Sequence, residues 1–443
     1  GGAYLRDDGR LQPGYTYLGL REYYKRLNYV LHDAGAAKPN LWMHISSGSA
    51  YHAWLGDIFM EGENVGPSDE EFDYLEVLPA ARMRAIGSAK VNGGAMLMMC
   101  QANRHTTPLQ AKHVHQFVGW VQAHDILPEQ VLWHAPIAEA ARFYRDDVEF
   151  VGYWQPHVPL KAITPDAIAS VHKTAGRALV WIVNTSRQDR TVDVAIDWAK
   201  LGLDRARTIA LNAETGREIA LTPAGLSVPT LKRDFVAVHL VQRNRLEAGQ
   251  SFLATFDQGV AADEALGLEV IEGADQLVAG DKGKALSVAG GVTLWSHLNL
   301  SDTEGRLSFR ARFTDGAGTV LRTSTPAARK GDDALPPGIV VEVLRGKARE
   351  PAQLVLRRDD KSDDRISLPA PAAGWRTVTL TWKNGQMGLA VDDRAATGAL
   401  PVRTLNVLEG TGPDLARVAR FTFGGPRSAI EAIDDLAAWR TAQ

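Results

Sequence analysis

Hydrophobic positions along the chain change their period twice. In the first third they recur at helical spacing between short apolar runs. Residues 19–31 place Leu20, Tyr23, Tyr24, Leu27 and Leu31 on one helical stripe. Lys38-Pro39 closes that connection, and residues 41–45 read as a short strand. A second helix is predicted over 79–89, followed by an apolar strand over 95–100. A third helix, over 108–123, carries His113, His115, Phe117 and Trp120. Residues 131–133 read as a strand, 137–144 as a helix and 148–154 as a strand again. Helices alternating with short apolar strands predict a mostly parallel sheet covered by helices. A closed eight-stranded (β/α)8 barrel takes roughly 250 residues. Residues 1–165 would therefore supply about half of one.

From 166 the period becomes two. The run Arg177-Ala178-Leu179-Val180-Trp181-Ile182-Val183-Asn184 is a strong strand, 190–196 alternates, and 235–240 closes the block. Thr215-Gly216 and Ala224-Gly225 mark turns. Residues 166–245 are predicted to be a small antiparallel β-sandwich. Residues 246–443 keep alternating over nearly their whole length. Residues 305–313 set apolar side chains on one face and charged or polar ones on the other. Residues 353–357, 375–382 and 419–423 behave alike, and Asn384-Gly385 predicts a type I′ hairpin. The spacing predicts a two-sheet jelly roll, with irregular loops over 314–352.

Composition narrows the function class. With 49 basic and 52 acidic residues the net charge is −3, which gives no field to draw in nucleic acid or an anionic membrane. Cys100 is the single cysteine, so intrachain disulfides and Cys-rich metal sites are excluded. No stretch is long and apolar enough to cross a bilayer, and the opening residues carry no start methionine or signal-like pattern. That opening reads as the middle of a longer chain.

Candidate chemistry gathers after the strand at 41–45. If that strand enters a parallel sheet, His44 and the Ser/Gly turn behind it lie at the carboxyl end, where such sheets place ligands. Ile58-Phe59-Met60 reads as the next strand, with Asp57, Glu61 and Glu63 around it as candidate acids. Carboxylates at that rim could move protons or hold sugar hydroxyls, and Trp54 could stack on a pyranose. His134 and Trp154, at the ends of later strands, are further substrate-binding candidates. Each has a plainer reading. His44 could be a satisfied polar group, Asp57 a turn cap, Glu61 and Glu63 solvated charges, and Trp154 core. His113 and His115 are two residues apart, so they diverge on a helix and do not form a zinc pair.

The stretch 19–31, Met43-His44 and Gly56-Asp57-Ile58-Phe59-Met60-Glu61-Gly62-Glu63, with 148–154 as a last barrel strand, resembles the back half of a glycoside hydrolase family 123-like catalytic domain. Residues 177–184 and 196–235 resemble the β-sandwich that follows it. The resemblance implies cleavage of β-linked N-acetylhexosaminides with help from the sugar's own acetamido group. It also implies an Asp-Glu pair on an earlier barrel strand, for which this sequence has no counterpart. The main catalytic acids, and the other half of the barrel as a partner, are thus expected upstream, and a noncatalytic carbohydrate-binding protein is the alternative. Residues 246–443 resemble a concanavalin A-like, LamG-type jelly roll, with Thr255-Phe256-Asp257 in its first strand. That implies an oligosaccharide or polysaccharide partner. It also admits Ca2+ in the jelly roll, with no ligands assigned and no other cofactor expected. A secreted or periplasmic location follows from the resemblance alone.

Overall fold

The computed structural model describes residues 3–13, 17–37, 40–44, 57–62, 65–69, 71–87, 95–100, 108–129, 147–301, 303–324, 338–346, 350–359, 364–401 and 420–441. The strand expected at 131–133 and the helix at 137–144 lie outside them, as do Trp54, Glu63 and His134.

An antiparallel hairpin, β1 (Ala3–Leu5) and β2 (Leu11–Pro13), precedes helix α1 (Tyr17–Asp33). On α1, Leu20, Tyr24, Leu27 and Leu31 are half-buried while Tyr23 points to solvent, so the buried stripe is narrower than the sequence suggests. Four short strands follow: β3 (Trp42–His44), β4 (Ile58–Glu61), β5 (Ala95–Met99) and β6 (Leu127–Glu129). All neighbours are parallel, in the order β3-β4-β5-β6. Helices α2 (Tyr74–Val77), α3 (Ala80–Gly87) and α4 (Pro108–Gln122) cover the sheet. Met43, Phe59, Met96 and Met98 from the strands pack on Tyr74, Met83, Phe117 and Val121 from the helices. Cys100 is buried in the same cluster beside the Tyr74 hydroxyl, an inert position for a thiol. Among the described residues this is an open four-stranded sheet, without barrel closure.

The next strand departs from expectation. β7 (Glu149–Val151) pairs antiparallel with β9 (Ala167–Thr174) and leaves the parallel sheet. The pairing is local and favourable on both faces. Val151 and Val171 are buried opposite each other, Phe150 lies against the His172 ring at 4.7 Å, and Lys173 Nζ reaches Glu149 at 3.0 Å.

The middle unit is a two-sheet antiparallel sandwich. Its strands are β8 (Leu160–Ala162), β9, β10 (Arg177–Asn184), β11 (Arg190–Ile196), β12 (Thr208–Asn212), β13 (Glu218–Ile219), β14 (Gly225–Thr230) and β15 (Phe235–Gln242), with β7 at one edge. One sheet runs β13-β12-β15-β10-β9-β7 and the other β14-β11-β8. Every residue of β10 is buried. Ala178, Val180 and Ile182 face the sandwich core, whereas Leu179, Trp181 and Val183 face the α/β helices. A strand covered on both sides reads as an unbroken apolar run, which explains the sequence signal.

Residues 250–439 form two packed antiparallel sheets. The larger contains Gln250–Ala254, Ile430–Trp439, Glu304–Phe313, Gly374–Lys383 and Gln386–Val391, and the smaller runs from Ile271–Glu272 to Arg365–Pro369. The hairpin at Asn384 and Gly385 has φ of 51° and 71°, both left-handed, as a type I′ turn requires. The irregular segment expected at 314–352 instead contributes two paired strands, Gly318–Ser324 and Ile339–Leu344, whose Val320, Leu321, Ile339 and Val341 are in the core.

Candidate functional site

The parallel register decides which candidate residues share an end of the sheet. His44 pairs with Met60 and Glu61 with Met98, so His44 and Glu61 terminate neighbouring strands at their carboxyl ends. Glu61 has a buried side chain, and Oε1 accepts a hydrogen bond from Arg82 Nη2 of α3 at 3.0 Å. Arg82 itself is substantially exposed, so the pair connects a sheltered carboxylate to the surface. Gly62 follows with φ 105°, and a Cβ there would meet the Met99 carbonyl oxygen at 2.8 Å. The chain can leave this rim only through glycine.

Asp57 does not join them. It precedes β4, at the amino end of the sheet, roughly 13 Å along the strand from Glu61. Its Oδ2 accepts from Leu41 N at 2.8 Å, its own N–H donates to the Leu41 carbonyl at 3.0 Å, and its carbonyl accepts from Ala95 N at 2.8 Å. Asp57 thus clamps the starts of three strands. The two acids expected to face one sugar stand at opposite ends of the sheet.

Trp154 is likewise at the other end. Its ring stacks on His124 at 5.6 Å, and His124 lies in the turn leading into β6. Adding a Cβ at Gly152 would bring it within 2.6 Å of the same indole. Burial lowers the His124 pKa to about 4, so the ring is neutral at neutral pH. Its Nδ1 faces the Trp120 carbonyl at 2.8 Å, leaving Nε2 as the acceptor for the Tyr153 hydroxyl at 3.3 Å. Burial also raises the Tyr153 pKa. Next to this cluster, His172 accepts from Trp181 Nε1 at 3.1 Å and donates to Asp125 at 3.0 Å. These rings fasten the α/β segment to the sandwich, and Trp154 stacks on them while 37% of it stays exposed.

The histidines of α4 are structural. His113 is buried and its pKa is lowered by burial. His115 reaches Asp234 at 2.6 Å and Glu214 at 2.9 Å in the sandwich. Burial pulls its pKa down, but the two carboxylates outweigh that and raise it well above the usual value. Among the described residues no group of three or more His, Cys, Asp or Glu could hold a metal ion, and no helix is long and apolar enough to cross a membrane.

A cleft of about 610 Å³ opens where the sandwich meets the jelly roll, but its polar groups are already engaged. Glu264 accepts from the backbone of Asn244 and Arg245, Asp263 from Thr255, and Arg177 donates to the Ala265 and Leu266 carbonyls and to Glu269. This is a joint between two units. One feature escaped the sequence reading, Arg82, whose link to Glu61 spans 21 positions; the polar outer face of the strand at 305–313 was read, but not its partners on the neighbouring strands. Arg306, Ser308, Arg310 and Arg312 alternate along that strand.

The sandwich decides the comparison with known proteins. Residues 131–218 match the model of the glycoside hydrolase 123, C-terminal domain. No curated protein matches the chain. Among solved structures, domain 4 of AbnA, a GH43 extracellular arabinanase from Geobacillus stearothermophilus, in complex with arabinotriose, is 13% identical with a TM-score of 0.29, covering 44% of this chain and 94% of that one. The VIP36 exoplasmic/lumenal domain in its Ca2+/Man2-bound form is 8% identical, TM-score 0.30, covering 44% and 91%. Trypanosoma rangeli sialidase in complex with sialic acid is 12% identical, TM-score 0.31, covering 67% of this chain and 51% of that chain.

Proposed function

We propose that this chain is the glycan-holding portion of a glycoside hydrolase acting on β-linked N-acetylhexosaminides or a related polysaccharide. The supporting observation is a sandwich of the glycoside hydrolase 123 C-terminal type packed directly on a parallel sheet whose carboxyl-end rim carries the sheltered Glu61–Arg82 pair. In this reading Glu61 accepts a sugar hydroxyl, Arg82 fixes its orientation, and His44 ends the adjoining strand. Bond cleavage by two carboxyl groups needs them about 5–9 Å apart. Glu61 and Asp57 do not meet that requirement, so the proposal takes the principal acids from outside the described residues. An exported setting, where such polymers are met, is part of the same reading.

The test is an assay of the intact gene product on β-linked N-acetylgalactosaminides and N-acetylglucosaminides, with wild type and Glu61→Gln side by side. Turnover is expected, with kcat/KM lowered roughly tenfold or more in the variant by loss of a charged hydrogen bond. A folded product with neither turnover nor N-acetylhexosamine binding would sink the proposal. Binding without turnover would instead select the second reading, a noncatalytic carbohydrate-binding protein. That reading is favoured by one specific observation: the described rim carboxylate is already bonded to Arg82.

A further inference from the structure

The outer face of the larger jelly-roll sheet has an organisation that packing alone does not call for. On the central strand Glu304–Phe313, Leu307, Phe309 and Ala311 point into the core, so Arg306, Ser308, Arg310 and Arg312 share the outer face. The register places Thr381, Thr379, Thr377 and Trp375 beside them on one neighbour, and Trp439, Ala437, Asp434 and Ala432 on the other. Gly388 and Ala390 extend the floor sideways with small residues. The result is a strip floored by hydroxyl and small side chains, half-exposed along the threonine side and buried at Ala432, Asp434 and Ala437, with an indole near each end. The two indoles flank the strand diagonally, roughly 20 Å apart along it.

The arginines are not equivalent. Arg310 is answered by Asp281 and Arg312 by Glu431, and the Arg312 guanidinium also lies over one face of Trp375 at 5.7 Å. Arg306 has no carboxylate partner among the described residues, and its guanidinium lies over the Trp439 ring at 3.8 Å. Its Nε is buried and makes no hydrogen bond. What distinguishes Arg306 is a fixed cation without a counter-charge, which an anion reaching its Nη groups would supply. Asp434 faces Arg310 across the strands; burial is the main reason its pKa rises to about 6, and it sits four positions along the strip from Arg306.

We propose that this strip binds an acidic oligosaccharide, with Arg306 taking a carboxylate or sulfate group, Trp375 stacking on a pyranose face, and Thr377, Thr379, Thr381 and Ser308 bonding sugar hydroxyls. Charge complementarity at Arg306 selects an anionic glycan over a neutral one. The hydroxyl-lined floor and the aromatic ring select a saccharide over a simple ion. The site is separate from the Glu61 rim and does not depend on the reading given there.

The experiment is calorimetric titration of the full chain with oligogalacturonate, a dextran sulfate oligosaccharide and an uncharged maltooligosaccharide of matched length, none of which contains an N-acetylhexosamine, at low and high salt. Wild type should bind at least one acidic probe and bind the neutral one more weakly, with affinity falling as salt rises. Arg306→Gln and Trp375→Ala should each weaken acidic binding roughly tenfold or more, and Arg306→Lys should restore part of it. Circular dichroism melts of the variants separate lost contacts from lost folding. Equal affinity for the neutral probe, unchanged binding in a folded Arg306→Gln protein, or no binding of any acidic probe would overturn the proposal. Because Glu61→Gln should leave these titrations unchanged, failure here and failure at the parallel-sheet rim are distinguishable.

Discussion

The sandwich meets its two neighbours in opposite ways. Towards the α/β segment it contributes Leu179, Trp181, Val183, Phe235 and Ala237 to a single continuous core shared with Phe117, Val121 and Tyr74. Towards the jelly roll it offers a small cluster of Leu211, Val241, Leu246, Leu266 and Leu298, plus Arg177 hydrogen-bonded to backbone carbonyls. The jelly roll has a large core of its own. A four-stranded sheet of three- to five-residue strands cannot bury enough surface alone, and it completes its core against the sandwich. The α/β segment and the sandwich are thus one folding unit, and the jelly roll is a second unit fastened to it.

Replacing Trp181 with alanine attacks this distinction hardest. It should cost about 3–5 kcal/mol and loosen the α/β segment and sandwich together, because the side chain is in their common core and its Nε1 bonds His172. Hydrogen exchange should show both regions opening while the jelly-roll strands stay protected; independent loosening of the sandwich alone would break the comparison. Asp73→Ala should follow at about 3 kcal/mol. It takes away the buried carboxylate that holds Arg233 at 2.7 Å, leaving the more exposed Glu76 at 3.0 Å as its acid partner, and removes the cap of α2. Chemical denaturation measures it.

Arg177→Met is expected to cost about 1–3 kcal/mol, felt at the joint and scarcely within either unit. Limited proteolysis near 243–249 should accelerate while the jelly-roll transition is unchanged. The smallest effect is pH-dependent. His115 has a folded-state pKa raised well above its unfolded value of about 6.5, chiefly by Glu214 and Asp234 against the opposing cost of burial. The stability it adds is therefore fully present below about pH 6.5 and is lost as pH climbs through the raised value. Urea midpoints should decline by about 1 kcal/mol equivalent on the alkaline side. His115→Gln should flatten that decline, and a wild-type profile already flat there would remove His115 from the clamp.

Much of this architecture was readable because its signals are local. The type I′ hairpin at Asn384-Gly385 needs two left-handed residues and has them. The all-buried β10 announces itself as eight residues with no exposed face. The strands at Gly318–Ser324 and Ile339–Leu344 were hidden by their surroundings, since the charged and Gly-rich residues between them dominate any window. β7 was legible as a strand but not as a member of the sandwich, because partner choice depends on residues twenty or more positions away. At the site, Asp57 and Glu61 bracket one four-residue strand. In a parallel sheet the acid before a strand and the acid after it cannot share an end, so chain direction alone could have separated them. The Arg82 and His115 contacts depend on three-dimensional juxtaposition that no spacing encodes.

Phe235 and Ala237 of β15 turn one way, Val238 and Leu240 the other, as their places in two different cores require. A single residue inserted inside β10 or β15 would therefore exchange the two sets beyond it and spoil both layers at once. Gene shuffling faces the same barrier. The connection after Gln242 is where a crossover disturbs the shared core least, and the jelly roll is the cassette most readily swapped for another.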